Sequence, residues 1–172
     1  MNILGFFQRL GRALQLPIAV LPVAALLLRF GQPDLLNVPF IAQAGGAIFD
    51  NLALIFAIGV ASSWSKDNAG SAALAGAVGY FVMTKGVLAG IITGLVAGAV
   101  YNRWAGIKLP DFLSFFGGKR FVPIATGFFC LILAAIFGYV WPPVQHAIHS
   151  GGEWIVSAGA LGSGIFGFIN RL

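Results

Sequence analysis

Charge is what this sequence has least of. Only 9% of its 172 residues are Asp, Glu, Lys or Arg, where a soluble domain carries about 25% because its surface faces water. With 59% hydrophobic residues and a mean hydropathy of +0.92, the chain has too little polar surface for a water-soluble globule and reads as an integral membrane protein. Cysteine is nearly missing too. Cys130, the one cysteine, lies in "FFCLIL", which excludes a disulfide framework and a cysteine metal cluster. No basic residue stands beside it to stabilise a thiolate, so it reads as a small buried hydrophobe. There is no G-x-x-x-x-G-K-[ST] phosphate-cradling loop and hence no sign of direct nucleotide use. The two histidines, His146 and His149, stand three apart in "PPVQHAIHS" with no carboxylate or cysteine beside them, a weak metal pair better read as loop residues. Neither a metal nor a cofactor is expected, nor an enzyme complete within these residues. The ten basic residues form no basic-aromatic stripe of the kind that grips nucleic acid.

What the chain does have is long apolar runs. A span needs about 20 mostly apolar residues, and candidates lie at 13–31, 45–64, 69–84, 86–101, 121–141 and 153–170. The last is rich in glycine and is either a span or a partly broken helix. Ahead of them "MNILGFFQRLGRAL" places Ile3, Phe6, Phe7, Leu10 and Leu14 on one helical face, with Gln8, Arg9 and Arg12 turned away. Such a helix lies in the headgroup plane. Arg9 and Arg12 before an apolar run also resemble a signal peptide, but the nearest A-x-A, Ala42-Gln43-Ala44, is too distant, so an uncleaved anchor is expected. The fold class is therefore all-α: an amphipathic N-terminal helix plus five or six transmembrane helices.

With the N-terminus inside, Arg9, Arg12, Lys66, Arg103, Lys108, Lys119, Arg120 and Arg171 fall on the inner side, and only Arg29 and Lys85 on the outer. Eight against two obeys the positive-inside rule. The runs 69–84 and 86–101 leave only Lys85 between them, too little for a helical hairpin to turn, so part of a span must be consumed or a loop is missing.

Three features are candidate sites. Asp50 and Asn51 interrupt "GGAIFDNLALIFAIGVASSW", where a carboxylate in hydrocarbon costs roughly 2.5–3.5 kcal/mol or more. Asp50 lies near the outer end of its span, where free N–H groups and the positive helix end favour a carboxylate. It reads either as a buried, hydrogen-bonded group locking helices together or as the mouth of a ligand path. Lys119 and Arg120, in "LSFFGGKRFVPI", either anchor the next span or present cations from a glycine-hinged loop. Gly86, Gly90, Gly94 and Gly98 recur every four residues, a smooth stripe where another backbone can approach. The stripe serves an oligomer interface or packing within the chain, and a glycine-zipper interaction or pore module is the alternative function it motivates.

Taken in order, "LPIAVLPVAALLLRFG", "GGAIFDNLALIFAIGVA", "AALAGAVGYFVMTK" and "FGGKRFVPI" resemble the membrane (IIC) domain of the bacterial phosphotransferase-system glucose-type permeases, most closely those specific for N-acetylglucosamine. The resemblance runs over the whole chain and implies the N-terminal half of such a domain, residues 1–172. It also implies a function: import of N-acetylglucosamine or a related hexose, phosphorylated on entry with phosphate derived from phosphoenolpyruvate and carried by IIA and IIB domains. The expected setting is the bacterial inner membrane, multi-pass, with a cytoplasmic N-terminus. The first half of the domain serves as the homodimer scaffold and the second carries most of the sugar site. The family's sugar-contacting His, its G-I-T-E turn and its C-x-T-R-L-R phosphocysteine motif are not in this sequence, nor is the polar loop expected between "YFVMTK" and "GVLAGII".

Overall fold

The computed structural model describes residues 3–83 and 86–157. Lys85 and residues 158–170 of the last candidate span lie outside them. The described residues are helical, with no strand: α1 (Ile3–Ile18), α2 (Leu21–Phe30), α3 (Pro39–Asp50), α4 (Leu52–Trp64), α5 (Gly70–Val82), α6 (Val87–Trp104) and α7 (Phe121–Ser157). Short 3₁₀ turns at Asp111–Phe116 and Gly118–Arg120 lead into α7. Two compact units divide the chain, residues 1–133 and 134–172.

In the first unit, helix breaks follow from backbone chemistry. Pro22 has no N–H to bond the Ile18 carbonyl, so α1 gives way to α2 across Ala19 and Val20, and Pro22 starts the second helix instead. Together α1 and α2 make a 28-residue apolar segment long enough to cross a bilayer. The segment read as one span at 45–64 is different in kind. Helix starts at Pro39, six residues earlier, and α3 and α4 meet at 57° across Asn51. The polar pair is therefore the hinge of a broken span. Asp50 is the last residue of α3, at a helix C-terminus, and is exposed. The buried, bonded carboxylate that would lock helices is not what the geometry gives.

Among the described residues, three segments are long and apolar enough to span, and a fourth if the bent pair counts as one. At 13 residues α5 is not among them: a rise of 1.5 Å per residue makes it about 20 Å long, against a hydrocarbon core of about 30 Å. The reading of 69–84 as a full span is corrected accordingly. His146 and His149 are helical and His146 is exposed, because α7 continues through Pro142 and Pro143. Each proline forfeits one hydrogen bond, whereas ending the helix in an apolar run would strand several backbone groups.

The core of the first unit is made of small residues. Ala61, Ala72, Ala75 and Ala97 are fully buried, joined by Val100, Tyr101, Val122 and Ala125. Lipid is as apolar as leucine, so helices in a membrane associate through close contact rather than burial of bulk. Many large apolar side chains point outward instead: Phe81 is 75% and Phe128 63% exposed. Helix α4 packs on α6, α5 and α1, while α2 packs on α3, where a Cβ on Gly45 would stand 2.8 Å from the Ala24 carbonyl oxygen.

Candidate functional site

The three candidate features do not converge. Asp50 and Asn51 precede α4, and Lys119 pairs with Asp67, three residues past its other end. The 13 residues of α4 separate them by about 20 Å. At the first end, Asn51 donates from Nδ2 to the Ala47 carbonyl at 2.8 Å, capping α3 with its own side chain. Arg120 folds back on its loop, its guanidinium 4.8 Å from the Phe115 ring centroid and donating to the Phe115 carbonyl at 3.3 Å.

The glycine stripe is used within the chain. A Cβ on Gly90 would land on the Ala53 carbonyl oxygen. One on Gly94 would meet Val60 Cβ at 2.8 Å, and one on Gly98 would meet Trp64 Cβ at 2.7 Å. Successive turns of α6 thus lie on successive turns of α4. Gly86 stands apart, with φ of +152° and nothing within 4 Å of its Cβ position.

The Trp64 end of α4 carries a polar knot. A helix leaves its last carbonyls without partners, and here the Trp64 carbonyl accepts from Arg9 Nη2 at 2.7 Å and from Asn102 Nδ2 at 2.9 Å. The side chain of Asn102 also accepts from the Lys66 N–H at 2.8 Å. Ser65 donates to Ser62 and accepts from the Ala69 N–H, closing the loop into α5. The chain turns at Asn68, φ +51°, one of the few residue types that tolerate the left-handed region. Beyond it, Tyr101 Oη donates to Asp67 Oδ2 at 2.8 Å and Lys119 Nζ reaches the same oxygen at 3.2 Å. One end of the helix cluster is thereby tied from α1, α4, α6 and the turn before α7.

Sequence reading missed Asp67, Tyr101 and Asn102. A signal was available in "WSKDN": Asp67 is one of only five acidic residues, set between two apolar runs beside a lysine. The structure also corrects the amphipathic face of α1. Arg9 does not turn away from Phe6 and Leu10. Its guanidinium lies 4.6 Å from the Trp64 ring centroid, beside Phe6, while Ile3 and Phe7 are 79% and 62% exposed.

The Tyr101 hydroxyl, against the opposing effect of partial desolvation, and next the Lys119 ammonium, hold the Asp67 carboxyl below its usual range. A carboxylate with a lowered folded pKa contributes stability that is present above the unfolded value, about 3.9, and is lost as pH falls through the folded one. Replacing Tyr101 by Phe is expected to raise the Asp67 pKa and narrow the acid side of the stability profile. Carbon-13 NMR titration of the aspartate carboxyls checks it; an unmoved Asp67 titration would assign the effect elsewhere.

The sequence profile described as "Phosphotransferase system, EIIC" matches residues 11–172. The chain belongs to the phosphotransferase-system EIIC family. Among similar proteins, the N-acetylglucosamine-specific EIICBA components of Escherichia coli K12 and Klebsiella pneumoniae are 88% and 94% identical over all of this chain. The N-acetylglucosamine-specific EIICB component of Bacillus subtilis is 51% identical over 98% of it. The chain spans 28% of the length of the first two and 40% of the third. The first two matches extend over 183 positions, eleven more than the 172 residues here, so these EIIC relatives carry positions without a counterpart in this chain.

Proposed function

We propose that the chain is the N-terminal, scaffold half of an EIIC domain that imports N-acetylglucosamine and releases it phosphorylated. The observation that carries the reading is identity of 88% and 94%, over the whole chain, to proteins named for that sugar. Phosphate derived from phosphoenolpyruvate reaches the sugar through IIA and IIB domains, and the chemistry lies outside these residues. The domain is a homodimer in the bacterial inner membrane with its N-terminus in the cytoplasm, the orientation that places eight of ten cations inside.

In that orientation the Trp64 end of α4 faces the cytoplasm and the Asn51 end faces out. Exposed Asp50 and Asn51 then supply the acceptors and donors that a hydroxyl-rich sugar meets at the outer mouth. At the inner end, the pairing of Lys119 with Asp67 and Tyr101 fixes the turn from which α7 departs. The structure supports scaffolding over pore formation because α4 occupies three of the four stripe glycines.

The test is Lys119→Glu in a full-length EIICBA protein carrying this segment. The substitution sets two carboxylates against each other where a salt bridge stood at 3.2 Å. Phosphoenolpyruvate-dependent uptake of N-acetylglucosamine is expected to fall about tenfold, with Asp67→Lys in the same chain restoring part of it. Wild-type uptake in Lys119→Glu would remove the 117–123 loop from the mechanism.

A further inference from the structure

The seam between α1 and α4 holds two adjoining features that the sugar reading does not use. Toward the Trp64 end it opens into a cleft of about 230 Å³ lined by Arg9, Arg12, Ala13 and Ser63. Two guanidiniums one helical turn apart line it and no acidic side chain does; α1 contains no acidic residue at all. Arg9 spends one N–H group on the Trp64 carbonyl, leaving most of its five donors free. The Ser63 hydroxyl is buried with no hydrogen-bond partner among the described residues, as are those of Ser71 and Thr126, and only Ser63 of the three lines this cleft, where it is free to donate. The negative end of α4 does not oppose an anion here, because Arg9 and Asn102 already satisfy its Trp64 carbonyl.

One turn further along the same two helices the seam becomes an apolar groove of about 350 Å³, lined by Leu16, Pro17, Val20, Ile55, Ile58 and Gly59 among others. A cationic cleft with an unpartnered donor, followed by an apolar groove, is complementary to a molecule with a phosphate head and a hydrocarbon tail. On the outer side of α1, Ile3, Leu4, Phe7 and Ile18 are 48–79% exposed, an apolar surface for lipid to cover. Arg9 and Arg12 stand toward the N-terminal end of the 28-residue apolar segment that α1 and α2 form, where long cationic side chains reach up to lipid phosphates.

We propose that the α1–α4 seam binds one anionic phospholipid. Its phosphate is gripped by Arg9, Arg12 and the Ser63 hydroxyl, and one acyl chain lies in the adjoining groove. Guanidinium forks match phosphate oxygens, and the Ser63 O–H supplies the third donor. Bound lipid would tie α1 to α4 from the membrane side, as Arg9 ties it to Trp64 from within. The inference rests on the membrane reading of the fold and is independent of the sugar.

The experiment titrates the 172-residue chain in neutral detergent with fluorescent phosphatidylglycerol, using phosphatidylcholine and inorganic phosphate as competitors. Saturable binding of one phosphatidylglycerol per chain is expected, weakened about tenfold by Arg12→Gln and about threefold by Ser63→Ala. Arg103→Gln, the same charge change on another helix, is expected to leave it within about twofold. Arg12 is exposed, so its replacement does not threaten the fold. Equal weakening by Arg103→Gln would reduce the effect to overall charge and overturn the site. Displacement by phosphatidylcholine as effective as by unlabelled phosphatidylglycerol would overturn its anionic head. Displacement by millimolar inorganic phosphate would assign the cleft to free phosphate and overturn the lipid.

Discussion

Gly90→Ala is expected to destabilise the chain by about 3 kcal/mol, at the upper end of what small-to-large changes cost. The added methyl would sit on the Ala53 carbonyl oxygen, and that atom belongs to the α4 backbone, so no rotamer change relieves the collision. Either α6 lifts away from α4 along the whole seam or the hydrogen-bonded ladder of α4 distorts. Since lipid offers little hydrophobic drive to hold helices together, lost close contact is not compensated by burial elsewhere. Gly46→Ala is the matched control: it lies inside α3 with nothing within 4 Å of its Cβ position. That substitution should stabilise by about 0.5–1 kcal/mol through backbone entropy alone. Thermal unfolding of both variants in nanodiscs reads the difference; two alanines with the same effect would mean that α4 and α6 do not touch at Gly90.

Trp64→Ala is expected to cost about 3–5 kcal/mol, the usual range for emptying a buried indole site. Trp64 is 6% exposed, at the junction of α1, α4 and α6. Its ring stacks under the Arg9 guanidinium at 4.6 Å and meets Phe6 edge-on at 5.5 Å, while Gly98 is shaped to its Cβ. Removing the indole takes the packing surface from α1 and the cation–π partner from Arg9 together. Protease digestion of the N-terminal helix should accelerate in this variant. Trp64→Phe, which keeps a ring, should recover more than half of the loss. Unchanged cleavage near residues 3–18 in Trp64→Ala would show that α1 is held by other contacts.

How much of this was legible depends on the kind of signal. Long apolar runs and scarce charge disclose a helical membrane chain, because lipid admits only helices and closed barrels and continuous apolar runs of this length suit the helix. That Pro142 and Pro143 remain inside α7 was not legible, since a proline's cost is finite and weighed against what else the backbone can bond. The 57° bend at Asn51 was hidden because Asp50 and Asn51 look like polar errors in one span rather than a junction of two. In the glycine stripe the periodicity was plain, yet its partner was not, for Ala53, Ala57 and Ala61 on α4 form the matching surface only once both helices are in hand. The polar knot at Trp64 was least legible of all. Its members, Arg9, Trp64 with Asp67, Asn102 and Lys119, come from four separate stretches, and only side-chain geometry brings them together.

The most direct test of the scaffold reading compares binding of labelled N-acetylglucosamine by this 172-residue chain and by a full-length EIICBA protein, in the same detergent and with glucose as competitor. Circular dichroism and gel filtration first establish that the shorter chain is folded and monodisperse. The account predicts saturable, glucose-resistant binding by the full-length protein and none by the folded 172-residue chain. Saturable binding by the shorter chain alone, lost on changing Asp50 and Asn51, would contradict it and place the sugar site among these helices.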